Sequence, residues 1–105
     1  MIELGYYQEE NGRRPFTEWL TRLRDKVAKA RIAARLRQIQ LGNLGDAKPV
    51  GEGVTELRIH AGAGYRVYFA NDSMNVVLLL VGGSKKTQAR DIATAQRHWL
   101  IYKRE

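Results

Sequence analysis

Six consecutive apolar residues, Val76 to Val81, restrict the fold of this chain more than any other stretch of it. The run is rich in valine and leucine and lies between the turn sequence NDSMN and the pair Gly82-Gly83. An uninterrupted apolar run of this length is typical of a strand that is buried on both faces. It predicts a central strand ending at the two glycines, within one domain that spans residues 1–105.

The amino-terminal part of the chain combines a strand pattern with a helical one. Ile2, Leu4 and Tyr6 alternate with other residues, which predicts a short, half-buried strand. Pro15 suits the first position of a helix, and an apolar stripe at helical spacing follows it. The stripe consists of Phe16, Trp19, Leu20 and Leu23. We interpret it as core packing.

A second helix is predicted over residues 26–41, with Asp25 as its cap and Gly42 as its stop. Its expected inward residues are Val27, Ile32, Leu36 and Ile39. Residues 13–37 carry nine lysines and arginines against two acids, and the whole chain has a net charge of +7. With so little acid the helix lacks stabilising i,i+4 ion pairs, so Arg31 and Arg35 are candidate contacts to phosphate or to an acidic partner. The alternative is an ordinary solvated face.

Strand alternation follows the glycine-rich loop of residues 42–53. The patterns at residues 54–60 and 65–70 predict a hairpin closed by the loop AGAG. Because residues directly opposite each other must share a face, Arg66 lies opposite either Arg58 or His60.

In either register Arg58, His60, Arg66 and Tyr68 share the polar face of this hairpin. Like charges on neighbouring strands destabilise a sheet, and Glu56 can offset only part of them. The cluster is therefore a candidate phosphate site, since the fork of an arginine side chain matches phosphate oxygens. The alternative is a solvated face with an ion pair between Glu56 and an arginine.

Lys85 and Lys86 follow the two glycines and precede a last helix, for which Thr87 is the expected cap. Backbone N–H groups of a glycine turn and a helix start favour an anion there. No Walker or Rossmann spacing is present, so we expect no nucleotide cofactor. The chain has no cysteine, and His60 and His98 lie far apart in sequence, so we also expect no metal site.

Five runs of the chain, taken in their order and spacing, resemble one protein family. They are FTEWL from Phe16, GNLGD from Gly42, ELRI from Glu56, GYRVYF from Gly64 and LLVGGSKKTQ from Leu79. Together they look like the phage-type "addiction module killer" branch of the RelE/ParE toxin superfamily, the HigB-like toxins. The resemblance implies an α+β fold, in which a small antiparallel sheet of about four strands carries two helices from the amino-terminal half and a further carboxyl-terminal helix.

The resemblance also implies a function, namely the toxin of a type II toxin–antitoxin system that cuts mRNA on the ribosome. A small helix-turn-helix antitoxin would hold such a toxin inactive. By position, the basic RNA-facing residues of the family match Arg58, Arg66 and Lys85.

RNA cleavage without a metal needs an acid or base and cations for the developing phosphorane charge. We expect His60 to act as acid or base and Arg58, Arg66 and Lys85 to stabilise charge. Further expected RNA contacts are Tyr68, which could stack on a base, together with Lys86, Arg31 and Arg35.

Two other functions fit the sequence. A toxin of the ParE kind would poison DNA gyrase without cutting RNA, and a plain nucleic-acid-binding module would bind with neither activity. The amino terminus MIELGYYQEE lacks the basic and apolar regions of a signal peptide, and no apolar run approaches a membrane span. We therefore expect a cytoplasmic protein without a membrane partner.

Overall fold

The computed structural model describes residues 1–105 and has an α+β architecture. The strands are β1 Glu3–Tyr6, β2 Ala47–Pro49, β3 Val54–Ile59, β4 Tyr65–Ser73 and β5 Val76–Ser84. The helices are α1 Pro15–Arg22, α2 Lys26–Gln40 and α3 Gln88–Arg104, with a 3₁₀ turn at Lys85–Thr87 between β5 and α3. The strands form one sheet in the order β1-β5-β4-β3-β2. Only β1 and β5 pair in parallel, so the sheet is mixed, and the expectation of an antiparallel sheet is wrong for this pair.

The α+β class, the two helices of the amino-terminal half and the carboxyl-terminal helix are confirmed. The sheet has five strands where about four were expected, because β2 lies inside the glycine-rich stretch that was interpreted as a loop. This strand has three residues and pairs only with β3 at the edge of the sheet. Such a short edge strand leaves no alternating pattern in the sequence, and Pro49 is tolerated there because an edge strand needs fewer ladder hydrogen bonds.

Strand β5 is buried on both faces, as its apolar run predicts. Val77 and Leu79 join the core beneath α1 and α2, while Leu78 and Leu80 join the core beneath α3. The expected end of the strand at Gly82-Gly83 is wrong, since β5 continues to Ser84.

The two glycines of β5 serve close packing on opposite faces of the sheet. A Cβ atom at Gly82 would collide with the ring of Trp19, and one at Gly83 would collide with the carboxylate of Asp91. Glycine in a strand commonly marks such a close approach. The pair therefore lets α1 and the start of α3 lie directly on β5.

Helix α2 begins at Lys26 as predicted and ends at Gln40, one residue before the predicted end. The backbone N–H of Ala28 donates to Oδ1 of Asp25 at 3.0 Å, and Gly42 has φ 88°, the left-handed conformation that favours glycine after a helix. The inward position expected for Val27 is wrong, because its side chain is 63% exposed. Ala28 is buried instead, together with Ile32, Leu36 and Ile39 of the same helix.

None of the helices is both long and apolar enough to cross a membrane.

Candidate functional site

The hairpin of β3 and β4 adopts the first of the two predicted registers. Arg58 lies opposite Arg66, and Glu56 lies opposite Tyr68. All four side chains project from the same face of the sheet, the face on which α3 packs. The alternative register, which places His60 opposite Arg66, is wrong, because β3 ends at Ile59 and His60 begins the connecting loop.

A buried carboxylate lies among the polar side chains of this face. The side chain of Glu56 is fully buried and accepts hydrogen bonds from Arg58 Nε at 3.2 Å, Gln88 Nε2 at 2.8 Å and the Tyr68 hydroxyl at 3.1 Å. Arg66 Nε lies 3.8 Å from Glu56 Oε2, within ion-pair distance but without a hydrogen bond. The carboxylate therefore offsets part of the repulsion between the two arginines.

The surroundings of Glu56 favour its charged form. Burial alone would raise the pKa of this carboxyl, but the hydrogen bonds from Gln88, Arg58 and Tyr68 outweigh burial and lower the pKa below its usual range. Burial and the neighbouring Glu56 raise the pKa of the Tyr68 hydroxyl, so that it remains a hydrogen-bond donor.

The side chain of Tyr68 is fully buried in the core beneath α3. The expected stacking of Tyr68 on an RNA base is therefore wrong. Tyr68 was predicted to lie on the polar face of the hairpin, but the side chains of Ala95 and Trp99 in α3 belong to the same core as Tyr68. A helix that packs from a distant part of the chain leaves no trace in the alternation of β4. Tyr68 instead supports Glu56.

The remaining polar residues of the hairpin open into a cleft of about 480 Å³, which we call the hairpin cleft. It is lined by residues 58–66 and by Lys85. The backbone N–H of Lys85 donates to the carbonyl oxygen of Gly64 at 2.9 Å, which fixes the 3₁₀ turn against the hairpin loop. Arg66 Nη1 also lies near Gly64, 3.7 Å from the position that a Cβ atom would take there.

The hairpin cleft brings together the four residues predicted for chemistry, which are Arg58, His60, Arg66 and Lys85. Lys86 is exposed beside the cleft but does not line it, and its backbone N–H donates to Ser84 Oγ at 3.3 Å. Three cations and a histidine around one opening give a surface suited to an anion.

His60 has a carboxylate partner that the sequence did not reveal. Its Nε2 lies 2.5 Å from Asp46 Oδ2, and both side chains are accessible, at 73% and 47% exposure. The hydrogen bond with His60 lowers the pKa of the Asp46 carboxyl below its usual range. Asp46 precedes β2 in the glycine-rich stretch, 14 residues from His60. Only the pairing of β2 with β3 brings them together.

Arg31 and Arg35 of α2 contact backbone carbonyls at the end of β3. Arg31 Nη1 donates to the His60 carbonyl at 2.8 Å, and Arg35 Nη1 donates to the Arg58 carbonyl at 2.5 Å. Arg35 Nη2 donates to the carbonyl of Leu44 at 2.9 Å. Because both terminal nitrogens of Arg35 have partners inside the protein, its expected RNA contact is replaced by a structural role.

A second, larger cleft of about 680 Å³ lies beside the carboxyl-terminal half of α3. Its lining includes three glutamates, Glu9, Glu10 and Glu105, with Arg97 as the one basic residue. His98 also lines it and stacks on Tyr7 with ring centroids 4.4 Å apart, and burial lowers the pKa of this histidine. The charge of this cleft is opposite to that of the hairpin cleft, so it does not suit the same ligand.

Two comparisons relate this chain to known proteins. The sequence profile of the family described as "Phage derived protein Gp49-like" matches residues 18–99. A protein of Haemophilus influenzae, which carries the name "Uncharacterized protein", is 49% identical to this chain over 81 residues. The alignment covers 77% of this chain and 82% of the relative. The profile match includes every residue that lines the hairpin cleft.

Proposed function

The chain belongs to the Gp49-like family of phage-derived proteins, and from that premise we propose that it is the toxin of a type II toxin–antitoxin module, of the HigB-like kind in the RelE/ParE superfamily. In this proposal the protein inhibits translation by cutting mRNA on the ribosome, in the cytoplasm and without a metal. Its inhibitor is a helix-turn-helix antitoxin.

One observation carries the nuclease proposal, namely that Arg58, His60, Arg66 and Lys85 line one cleft. Metal-independent RNA cleavage needs a proton-transfer group next to cations that stabilise a phosphorane, and these side chains supply both. By contrast, the gyrase alternative relies on the basic surface of α2, where Arg31 and Arg35 already donate to backbone carbonyls. The nuclease proposal therefore has the stronger support.

The chemistry would proceed by attack of a ribose 2′-oxygen on the adjacent phosphorus. Neutral His60 accepts the proton of the 2′-hydroxyl, and Asp46 holds the imidazole through Nε2. Arg58, Arg66 and Lys85 stabilise the negative charge on the phosphorane oxygens. The bond from phosphorus to the 5′-oxygen then breaks, and the leaving oxygen takes a proton from water. His60 returns the proton that it accepted to the hydroxide formed, and the products are a 2′,3′-cyclic phosphate and a 5′-hydroxyl.

The test is expression in bacteria of the chain alone and together with the gene beside its own, with mRNA ends mapped from translating ribosomes. We expect growth arrest and codon-associated cuts from the chain alone, and rescue by co-expression. His60→Ala and Arg66→Ala should abolish both effects, whereas Arg22→Ala, which removes an exposed arginine of α1, should not.

Other outcomes of the same experiment select another function. Full toxicity and full cleavage in both His60→Ala and Arg66→Ala would show that the proposed site is wrong. Gyrase-linked DNA breaks without mRNA cuts would support a ParE-type toxin. Salt-sensitive nucleic-acid binding without toxicity would support a plain binding module.

A further inference from the structure

We propose that Glu56 is the positioning residue of a two-arginine phosphate site, in which its carboxylate holds the Nε side of Arg58 and of Arg66 so that their Nη groups face the hairpin cleft. The ligand class is a phosphate or a phosphodiester of an RNA backbone. That the bound group is a phosphodiester of mRNA rests on the function proposed above. The geometry of the site does not depend on it.

Glu56 contacts both arginines on their Nε side, Arg58 through a hydrogen bond and Arg66 through an ion pair. Oε1 accepts from Arg58 Nε at 3.2 Å, and Oε2 lies 3.8 Å from Arg66 Nε. The carboxylate thus meets each guanidinium at Nε, and the Nη atoms of both arginines have no hydrogen-bond partner within the protein. Arginine presents five donors in a rigid fork, so fixing Nε also fixes the direction of the Nη groups.

The carboxylate is itself held in place from other elements. Tyr68 from β4 and Gln88 from the start of α3 both donate to Oε2. With Arg58 on Oε1, both carboxylate oxygens of the fully buried side chain have donors, which is what keeps a buried charge in one position. Glu56 is therefore a rigid support rather than a mobile counter-ion.

The guanidinium of Arg66 is only weakly paired within the protein. Arg66 is only 12% exposed, and its buried Nε has no hydrogen bond. Because this Nε faces the Glu56 carboxylate at 3.8 Å, the charge of Arg66 is offset only by an ion pair, and its Nη groups stay available to a ligand. Three cations, Arg58, Arg66 and Lys85, meet at the cleft. The neighbouring carboxylates are two, Glu56 beside the arginines and Asp46 beside His60. A phosphate with its four oxygens would accept from the Nη groups and offset the excess positive charge.

The test is the affinity of the full chain for inorganic phosphate, measured by titration while the arginine Nε–Hε signals are followed by NMR. Glu56→Gln keeps the shape of the side chain and removes its charge. We expect about a tenfold loss of phosphate affinity, because hydrogen bonds to a charged carboxylate are stronger than those to an amide. We also expect the Nε–Hε signals of Arg58 and Arg66 to become averaged, since the two guanidinium groups are then held less firmly.

The sign of the change separates positioning from simple charge balance. If Glu56 only competes with the ligand for the arginines, Glu56→Gln adds net positive charge at the cleft and phosphate binds more tightly. Tighter or unchanged binding would therefore overturn the proposal. Glu18→Gln is the matched control, because Glu18 also pairs with two arginines, Arg13 and Arg22, on a surface outside the cleft. It makes the same change in net charge and should leave phosphate affinity within twofold.

A second variant covers the case in which Glu56→Gln does not fold. Gln88→Ala removes one hydrogen bond to Oε2 from a half-buried residue and leaves every charge in place. We expect about a threefold loss of phosphate affinity, and unchanged affinity in the folded variant would contradict the positioning role. Because the probe is phosphate alone, a protein that binds it through both arginines but cuts no mRNA would remove the nuclease proposal and leave this one standing.

Discussion

Two pairs of arginines lie on either side of the end of β3, and the protein uses them in opposite ways. The Nε atoms of Arg58 and Arg66 face the buried carboxylate of Glu56. The terminal nitrogens of both arginines have no hydrogen-bond partner within the protein. Arg31 and Arg35 of α2 place terminal nitrogens on backbone carbonyls instead. The terminal nitrogens of the first pair are available to a ligand, whereas those of the second pair stabilise the fold.

The difference between the two pairs depends on which atoms have partners, not on residue type or charge. Arg35 joins the Arg58 carbonyl to the carbonyl of Leu44, so it holds the loop that carries Asp46 against β3. The backbone N–H of Arg58 also donates to the Asp46 carbonyl at 3.0 Å. The helix arginines thus support the place where the sheet arginines and the Asp46–His60 pair meet.

The largest expected effect follows from exchanging arginine for lysine in each pair. Arg66→Lys keeps the charge but loses the fork that presents two donors to phosphate oxygens, so we expect mRNA cleavage to fall about 100-fold or more. Arg31→Lys should leave the rate within about twofold, since an exposed carbonyl contact contributes little. The measurement is the cleavage rate in a translation extract. Equal losses in the two variants would erase the distinction between the pairs.

The second prediction concerns the stability of the fold. Arg35→Ala leaves the carbonyls of Arg58 and Leu44 without their donors, and we expect it to lower the free energy of unfolding by about 2 kcal/mol. Arg37→Ala, on the exposed side of the same helix, should change it by less than about 0.5 kcal/mol. Urea denaturation at pH 7 measures both values. A variant at position 35 as stable as wild type would show that its hydrogen bonds are not maintained in solution.

The sequence predicted the arrangement of the sheet arginines, Arg58 and Arg66, better than that of the helix arginines, Arg31 and Arg35. Alternation along β3 and β4 placed Arg58 and Arg66 on one face, because the side-chain period of a strand is a local property. The carbonyl partners of Arg35 could not be predicted, since they depend on the packing of α2 against a loop and a strand end. The burial of Tyr68 by α3 and the pairing of Asp46 with His60 were missed for the same reason. Each needs two parts of the chain that only tertiary structure brings together.

The third prediction is that low pH weakens the contacts of Arg58 and Arg66 with Glu56 but leaves the contacts of Arg31 and Arg35 unchanged. Because the folded-state pKa of Glu56 is lowered, its contribution to stability is present above the pKa of the unfolded chain, about 4.3, and is lost as pH falls through the folded-state value. Glu56→Gln should therefore be about 1.5 kcal/mol less stable than wild type at pH 7, with the difference shrinking below about pH 4.

The helix pair provides the contrast in the same pH series. Its acceptors are carbonyl oxygens, which do not titrate, so the loss caused by Arg35→Ala should stay nearly constant from pH 7 to pH 3. The measurement is the urea midpoint of wild type, Glu56→Gln and Arg35→Ala at each pH. If the difference in urea midpoint between wild type and Glu56→Gln did not change with pH, the hydrogen bonds to Glu56 would not be stabilising its charged form.

The smallest expected effect tests which basic residues outside the hairpin cleft meet RNA. Lys86 is exposed next to Lys85, and its ammonium has no protein partner, so Lys86→Ala should weaken RNA binding a few-fold and reduce the slope of log affinity against log salt by about one. Arg31→Ala should leave that slope unchanged, because its guanidinium holds the His60 carbonyl. Fluorescence anisotropy with a short single-stranded RNA at several salt concentrations gives both slopes. If Arg31→Ala lowers the slope as Lys86→Ala does, the helix pair also contacts phosphate, and the division between ligand-binding and structural arginines would apply to Arg35 alone.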